Sequence, residues 1–131
     1  MNLRNRVCIG AVSAAFVGGS LVLPPAAHAG EFAPASCYGS ASAYSKPAGT
    51  TSHPAGRTFI TSNACSDINI KPKSDRHIMV CIERNGAQEC PASYTAVKKD
   101  TWTVLRSNVP DDTQFAFYFR SDALSNGHWA A

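Results

Sequence analysis

Three histidines (His53, His77 and His128) and four cysteines (Cys37, Cys65, Cys81 and Cys90) are the side chains after residue 29 with the widest chemical repertoire. A histidine held between a carboxylate and a serine would supply the general base of a hydrolase. The three histidines are far apart in sequence, and His77 falls in an alternating run as an ordinary strand residue. There is no Gly-x-Ser-x-Gly elbow, phosphate-cradling glycine loop or His-Glu-x-x-His helix. The cysteines are separated by 28, 16 and 9 positions with no Cys-x-x-Cys, a spacing that argues against zinc and for two disulfides. Paired cysteines leave no thiol nucleophile. Asp111-Asp112 offers adjacent carboxylates, but Pro-Asp-Asp-Thr is turn chemistry. Asp122 to Gly127 also reads as a turn and lacks the calcium-loop spacing. No catalytic residue, metal ligand or cofactor is expected.

Residues suited to binding are easier to find. Phe115, Phe117 and Phe119 alternate with Ala116, Tyr118 and Arg120. In a strand, the phenylalanines share one face and Tyr118 and Arg120 the other. The phenylalanine face suits a core, and an antiparallel sheet can leave its other face to solvent. A ring beside a forked donor suits a protein or glycan partner. Trp129, close to the end of the chain, is the third binding candidate if it is exposed, the alternative being that its strand docks and packs the ring, whereas Trp102 is expected in the core.

Such a surface needs a compartment and a scaffold. Arg4 and Arg6 precede an apolar run from Cys8 to Leu23, then Pro24-Pro25 and Ala27-His28-Ala29. This is the order of a cleavable export signal, too short for a membrane span, and it predicts cleavage after Ala29. Residues 1–29 are therefore expected to be the signal and 30–131 a single secreted domain. The full chain has a net charge of +3. Two of its arginines lie in the signal and no acids do, leaving ten basic against nine acidic residues in 30–131. With no basic patch, nucleic acid is excluded as a partner. No membrane span is expected after cleavage, and the domain is expected to be a monomer.

A domain of this size gains from covalent constraints, and export permits them. Asn85-Gly86 is a hairpin signal between His77–Glu83 and Gln88–Tyr94. Centring the turn there pairs Arg84 with Ala87, Glu83 with Gln88 and Ile82 with Glu89, and sets Cys81 opposite Cys90. Opposed residues lie within disulfide reach, leaving Cys37 for Cys65. Pro91 lacks an N–H for a continued ladder, which favours a four-residue loop, Arg84 to Ala87. In the chain-entropy treatment the two closures contribute about 2.7 and 3.6 kcal/mol, less any native strain.

The remaining runs also alternate: Ile68 and Ile70, then Ile78, Val80 and Ile82, then Trp102 and Val104. Pro72–Asp75, Lys98–Asp100 and Pro110–Asp112 divide them as turns. Arg57 to Ser62 is expected as a strand, Ser40 to Tyr44 as a short edge strand and Ser45 to Gly56 as a loop. The fold class is all-β: a small antiparallel sandwich, immunoglobulin-like or related, with two disulfides.

Val109-Pro110-Asp111-Asp112-Thr113-Gln114-Phe115 resembles the corner before strand F of fibronectin type III and other immunoglobulin-like sandwiches. That family usually has Tyr where Phe115 stands, and Phe115 lacks the hydroxyl that makes the corner hydrogen bond. Thr61 through Ile70, Val80-Cys81, Cys90 through Tyr94, Trp102-Thr103-Val104 and Ser107-Asn108-Val109 resemble a group of small secreted actinobacterial proteins. That resemblance implies a secreted two-disulfide domain and assigns no functional residue. The expected function is a non-enzymatic binding domain for an extracellular protein, a glycan or the cell wall. The alternatives are a hydrolase inhibitor presenting loop 45–56, and a small secreted hydrolase.

Overall fold

A computed structural model describes residues 36–131; the expected export signal, 1–29, and the expected cleavage after Ala29 fall outside the described residues. A short 3-10 turn, Tyr38–Ser40, leads into ten strands. They are β1 (Ser42–Lys46), β2 (Ser52–His53), β3 (Phe59–Ile60), β4 (Ile68–Pro72), β5 (Arg76–Arg84), β6 (Ala87–Glu89), β7 (Thr95–Val97), β8 (Thr103–Arg106), β9 (Gln114–Phe119) and β10 (Ser125–Ala130).

The strands form two antiparallel sheets. One has the order β1-β10-β4-β8. The other is built on the β5–β9 pair: β2 and β3 line one edge of β9 in succession, and β6 and β7 line the far edge of β5. Alternation sorts the side chains. Ile78, Val80 and Ile82 of β5 and Phe115, Phe117 and Phe119 of β9 are all buried. They pack with Tyr44, Ile68 and Ile70 of the four-stranded sheet in one shared core. The expected all-β antiparallel sandwich is thus the fold. In an immunoglobulin sandwich the last strand lies beside strand F. Here β10 inserts between β1 and β4, and β2 and β3 take the place beside β9, so the topology is a related one.

Both expected disulfides are present, Cys37–Cys65 and Cys81–Cys90. The hairpin register also holds: Arg84 faces Ala87, Glu83 faces Gln88 and Ile82 faces Glu89. The turn has two residues rather than four. Asn85 (φ 55°) and Gly86 (φ 79°) are both left-handed, as a type I′ turn requires. Pro91 does not oppose this, because β6 ends at Glu89 and the pairing to β5 resumes only at Thr95.

The corner before β9 closes without a tyrosine. Thr61 and Thr113 both donate their hydroxyls to the Pro110 carbonyl, at 2.8 and 2.7 Å. The Thr113 N–H donates to the Thr61 hydroxyl at 2.9 Å. Thr61 is 4% exposed, so these bonds satisfy a buried polar group. They also end the expected Arg57–Ser62 strand early, leaving only Phe59–Ile60 in the ladder.

Several other expectations change. Asp122 to Gly127 is not all turn, because β10 begins at Ser125. Gly127 sits within that strand, where a Cβ would come within 2.7 Å of the Pro72 backbone and 2.8 Å of the Tyr44 ring. Glycine is read as punctuation in a sequence, but here it permits close approach of backbones. Residues 45–56 are not simply a loop: β1 runs through Lys46, and β2 pairs Ser52 and His53 with Tyr118 and Phe117. Lys46 is fully buried and donates to the carbonyls of Pro47 (3.2 Å) and Thr50 (2.6 Å).

Candidate functional site

The outer face of the six-stranded sheet carries a concave site of about 300 Å³. Its floor follows from alternation: Cys81 and Ala116 are register partners whose neighbours Val80, Ile82, Phe115 and Phe117 point into the core. Ala116 is small, and Cys81 is tied into its disulfide, so the middle of the face is low. The β2–β3 side contributes Ser52, Arg57 and Thr58, and the β5–β6 side contributes Glu83 and Gln88. Tyr118 completes the lining, paired across the strands with Ser52 on one side and Met79 on the other. The Gln88 side-chain amide donates to the Tyr118 hydroxyl at 2.8 Å, which orients the phenol across β5. Arg57, Glu83 and Gln88 are exposed. The site therefore offers a cation, an anion, amide and hydroxyl groups and one aromatic ring, enough to bind and orient a polar ligand.

The three expected binding residues separate. Tyr118 lines the site. Arg120 is exposed but turns to His77, donating to its Nδ1 at 3.0 Å, and it is not part of the lining. Trp129, a binding candidate only if exposed, is packed inward by the docking of β10, so it is not a binding residue of this face. Its ring lies 4.4 Å from that of Phe59 and meets Phe115 edge-on at 5.5 Å. Pairing with the buried Ile70 gives Trp129 its inward parity. Trp102 goes the other way. Its expected place was the core, but β8 turns Leu105 toward the core and leaves Val104 exposed, and Trp102 stacks outside on Tyr38 at 4.4 Å and 5°. The ammonium of Lys71 lies 5.2 Å from the Trp102 ring centre, a cation–π arrangement.

The histidines do not converge. His53 faces inward between Tyr44 and Phe59, with ring centres at 5.7 and 5.6 Å. Burial lowers its pKa, and the positive charges of Arg57 and Lys46 lower it further. His77 accepts from Arg120, and His128 pairs with Lys71 on the four-stranded sheet. None of the three lines the concave site. Asp111 and Asp112 are exposed in their turn. Among the described residues no cluster of three or more His, Cys, Asp or Glu side chains could hold a metal ion.

Sequence reasoning missed Arg57, Ser52 and Thr58. Their placement depends on β2 and β3 returning to the edge of β9, a tertiary event with no local signature. Glu83 and Gln88 carried a usable signal: the hairpin register pairs them, and their parity puts them on the outer side of the sheet.

The chain matches no protein-family model, no curated protein and no solved structure. No helix among the described residues is long and apolar enough to cross a membrane.

Proposed function

We propose that this is a secreted, non-enzymatic binding domain that engages an extracellular ligand through the concave outer face of the six-stranded sheet, with Tyr118 at its centre. The observation that carries the reading is the lining of that site: Ser52, Arg57, Glu83, Gln88 and Tyr118 gather over a low floor, presented by strands whose inward residues are core. A site on paired strands loses little entropy on binding, because its geometry is already set. Export is supported by the N-terminal sequence pattern and by the two disulfides.

The inhibitor reading of loop 45–56 has less support. Lys46 anchors the start of that segment, and β2 holds residues 52 and 53 in the sheet, dividing what is exposed into short stretches around Pro47–Gly49 and Ala55–Gly56. The test is capture from the producing organism's culture fluid with immobilised protein. Tyr118→Ala should lose the bound species while lowering unfolding free energy by under about 1 kcal/mol. Undiminished capture by that variant would remove the site from consideration.

A further inference from the structure

We infer that the ligand of this site is a small zwitterion, an amino acid or short peptide with both termini free, its carboxylate on Arg57 and its ammonium group on Glu83. The inference rests on the reading of the concave face as a ligand site.

The two charges occupy opposite banks. Arg57 comes from the connection between β2 and β3, which line one edge of β9, and Glu83 from β5 on the other edge. Neighbouring strands lie about 4.8 Å apart, so the two backbones are on the order of 10 Å apart across β9, and they are also offset along it, Arg57 lying two residues before the Phe59–Phe115 pair and Glu83 one residue beyond the Ile82–Phe115 pair. Both side chains are long enough to reach inward over the floor of Ala116 and Cys81. Among the described residues neither enters an ion pair. The acid beside Gln88 that does so is Glu89, which receives Arg84 and Arg106. Arg57 and Glu83 thus keep their charges available in the same concavity.

An unneutralised cation facing an unneutralised anion selects for a dipolar ligand. A ligand with only one charge satisfies one bank and leaves the other unpaired, which is discrimination by omission. The guanidinium fork matches a carboxylate with two parallel hydrogen bonds. Glu83 is acceptor-only when ionised and matches an ammonium group. Tyr118, its hydroxyl already engaged by Gln88, has its ring left to contact the ligand's apolar part. A site of about 300 Å³ is at the small end for ligand pockets, consistent with one or two residues of peptide.

The test is a titration followed by backbone amide NMR, using glycyl-leucine, its N-acetyl form, its C-terminal amide and the neutral disaccharide maltose. Glycyl-leucine should shift the amides of Ala116 and Tyr118, and each blocked form should bind about tenfold more weakly. Arg57→Ala and Glu83→Gln should each weaken glycyl-leucine by a similar factor. Both positions are exposed, so both variants should retain the wild-type thermal midpoint. Equal affinity for the blocked forms, or indifference to both substitutions, overturns the zwitterion assignment. Maltose shifting the same amides while glycyl-leucine does not would overturn it too, but would leave the site itself standing. No shift at Ala116 or Tyr118 with any of the four probes overturns the inference and leaves the binding reading to the capture experiment.

Discussion

The two outer faces of this sandwich differ in what lies on top of them. On the four-stranded sheet, the segment that enters β1 lies over the strands, fixed by Cys37–Cys65. Tyr38 stacks on Trp102 and donates to Asn69. Asn69, an outward residue between Ile68 and Ile70, is only 2% exposed, and its amide reaches the carbonyls of Asp67 and Ala130. On the six-stranded sheet Ala116 is nearly as buried, but as the floor of an open concavity between flanking side chains, and among the described residues the charges of Arg57 and Glu83 stay unpaired. One face uses its aromatic and amide groups to hold the segment that crosses it; on the other, Gln88 and Tyr118 bond to each other across β5 and the Tyr118 ring still lines an open concavity. An aromatic residue on an outward strand position is therefore weak grounds for a binding role until its neighbours are known.

The core shared by both sheets sets the scale for testing that contrast. Phe117→Ala should lower unfolding free energy by about 3 to 5 kcal/mol, measured by denaturant titration. Removing Cys37–Cys65 by a double serine substitution should come next, at about 3.6 kcal/mol less any native strain. It should also expose Asn69 to faster hydrogen exchange. If exchange at Asn69 and Ala130 is unchanged, the disulfide is not what holds the covering segment. Trp102→Ala should lower stability by about 1 to 2 kcal/mol through loss of its stack and leave ligand capture intact; a capture defect would erase the distinction between the faces.

His53 adds a dependence on pH. Its pKa is lowered in the folded state, so the unfolded chain binds the proton more readily. Its contribution to stability is complete above the unfolded value near 6.5 and is lost as pH falls through the folded value. His53→Gln should flatten the decline in thermal midpoint on the acid side of pH 6.5, and an unaltered slope would assign that decline to other groups. The smallest stability effect belongs to the open face: Tyr118→Ala should shift unfolding by under about 1 kcal/mol. A larger loss would make Tyr118 a structural residue like Trp102.

The β-strand framework was legible because alternation in β4, β5 and β9 is regular and each apolar set faces a core. The disulfides were legible because Asn85-Gly86 fixes a register, and register fixes Cys81 against Cys90. The turn length was misread because Pro91 was placed in a strand that had already ended. The sides taken by Trp102 and Trp129 were not legible because parity within a short run does not say which side holds the core. For Trp102 the side is set by β8 docking on β4, and for Trp129 by β10 inserting between β1 and β4. Of the candidate site, only Tyr118 and the Glu83–Gln88 pair were within reach of the sequence. Arg57 depends on an edge pairing across 55 intervening residues, between Phe59 and Phe115, that no local pattern encodes.

Lys46 has a practical use that follows from its burial. The chain has five lysines, and the other four, Lys71, Lys73, Lys98 and Lys99, all reach solvent to some degree. The ammonium of Lys46 is enclosed, donating to Pro47 and Thr50 and lying 5.3 Å from the Phe119 ring centre. An amine-selective acylating reagent should modify these four and the α-amino terminus within the first minutes of exposure and reach Lys46 only when the β1 end of the sandwich opens. The rate at which the sixth acyl group, mapped to Lys46, appears by mass spectrometry then serves as an internal clock for opening at that end of the fold, with no residue changed.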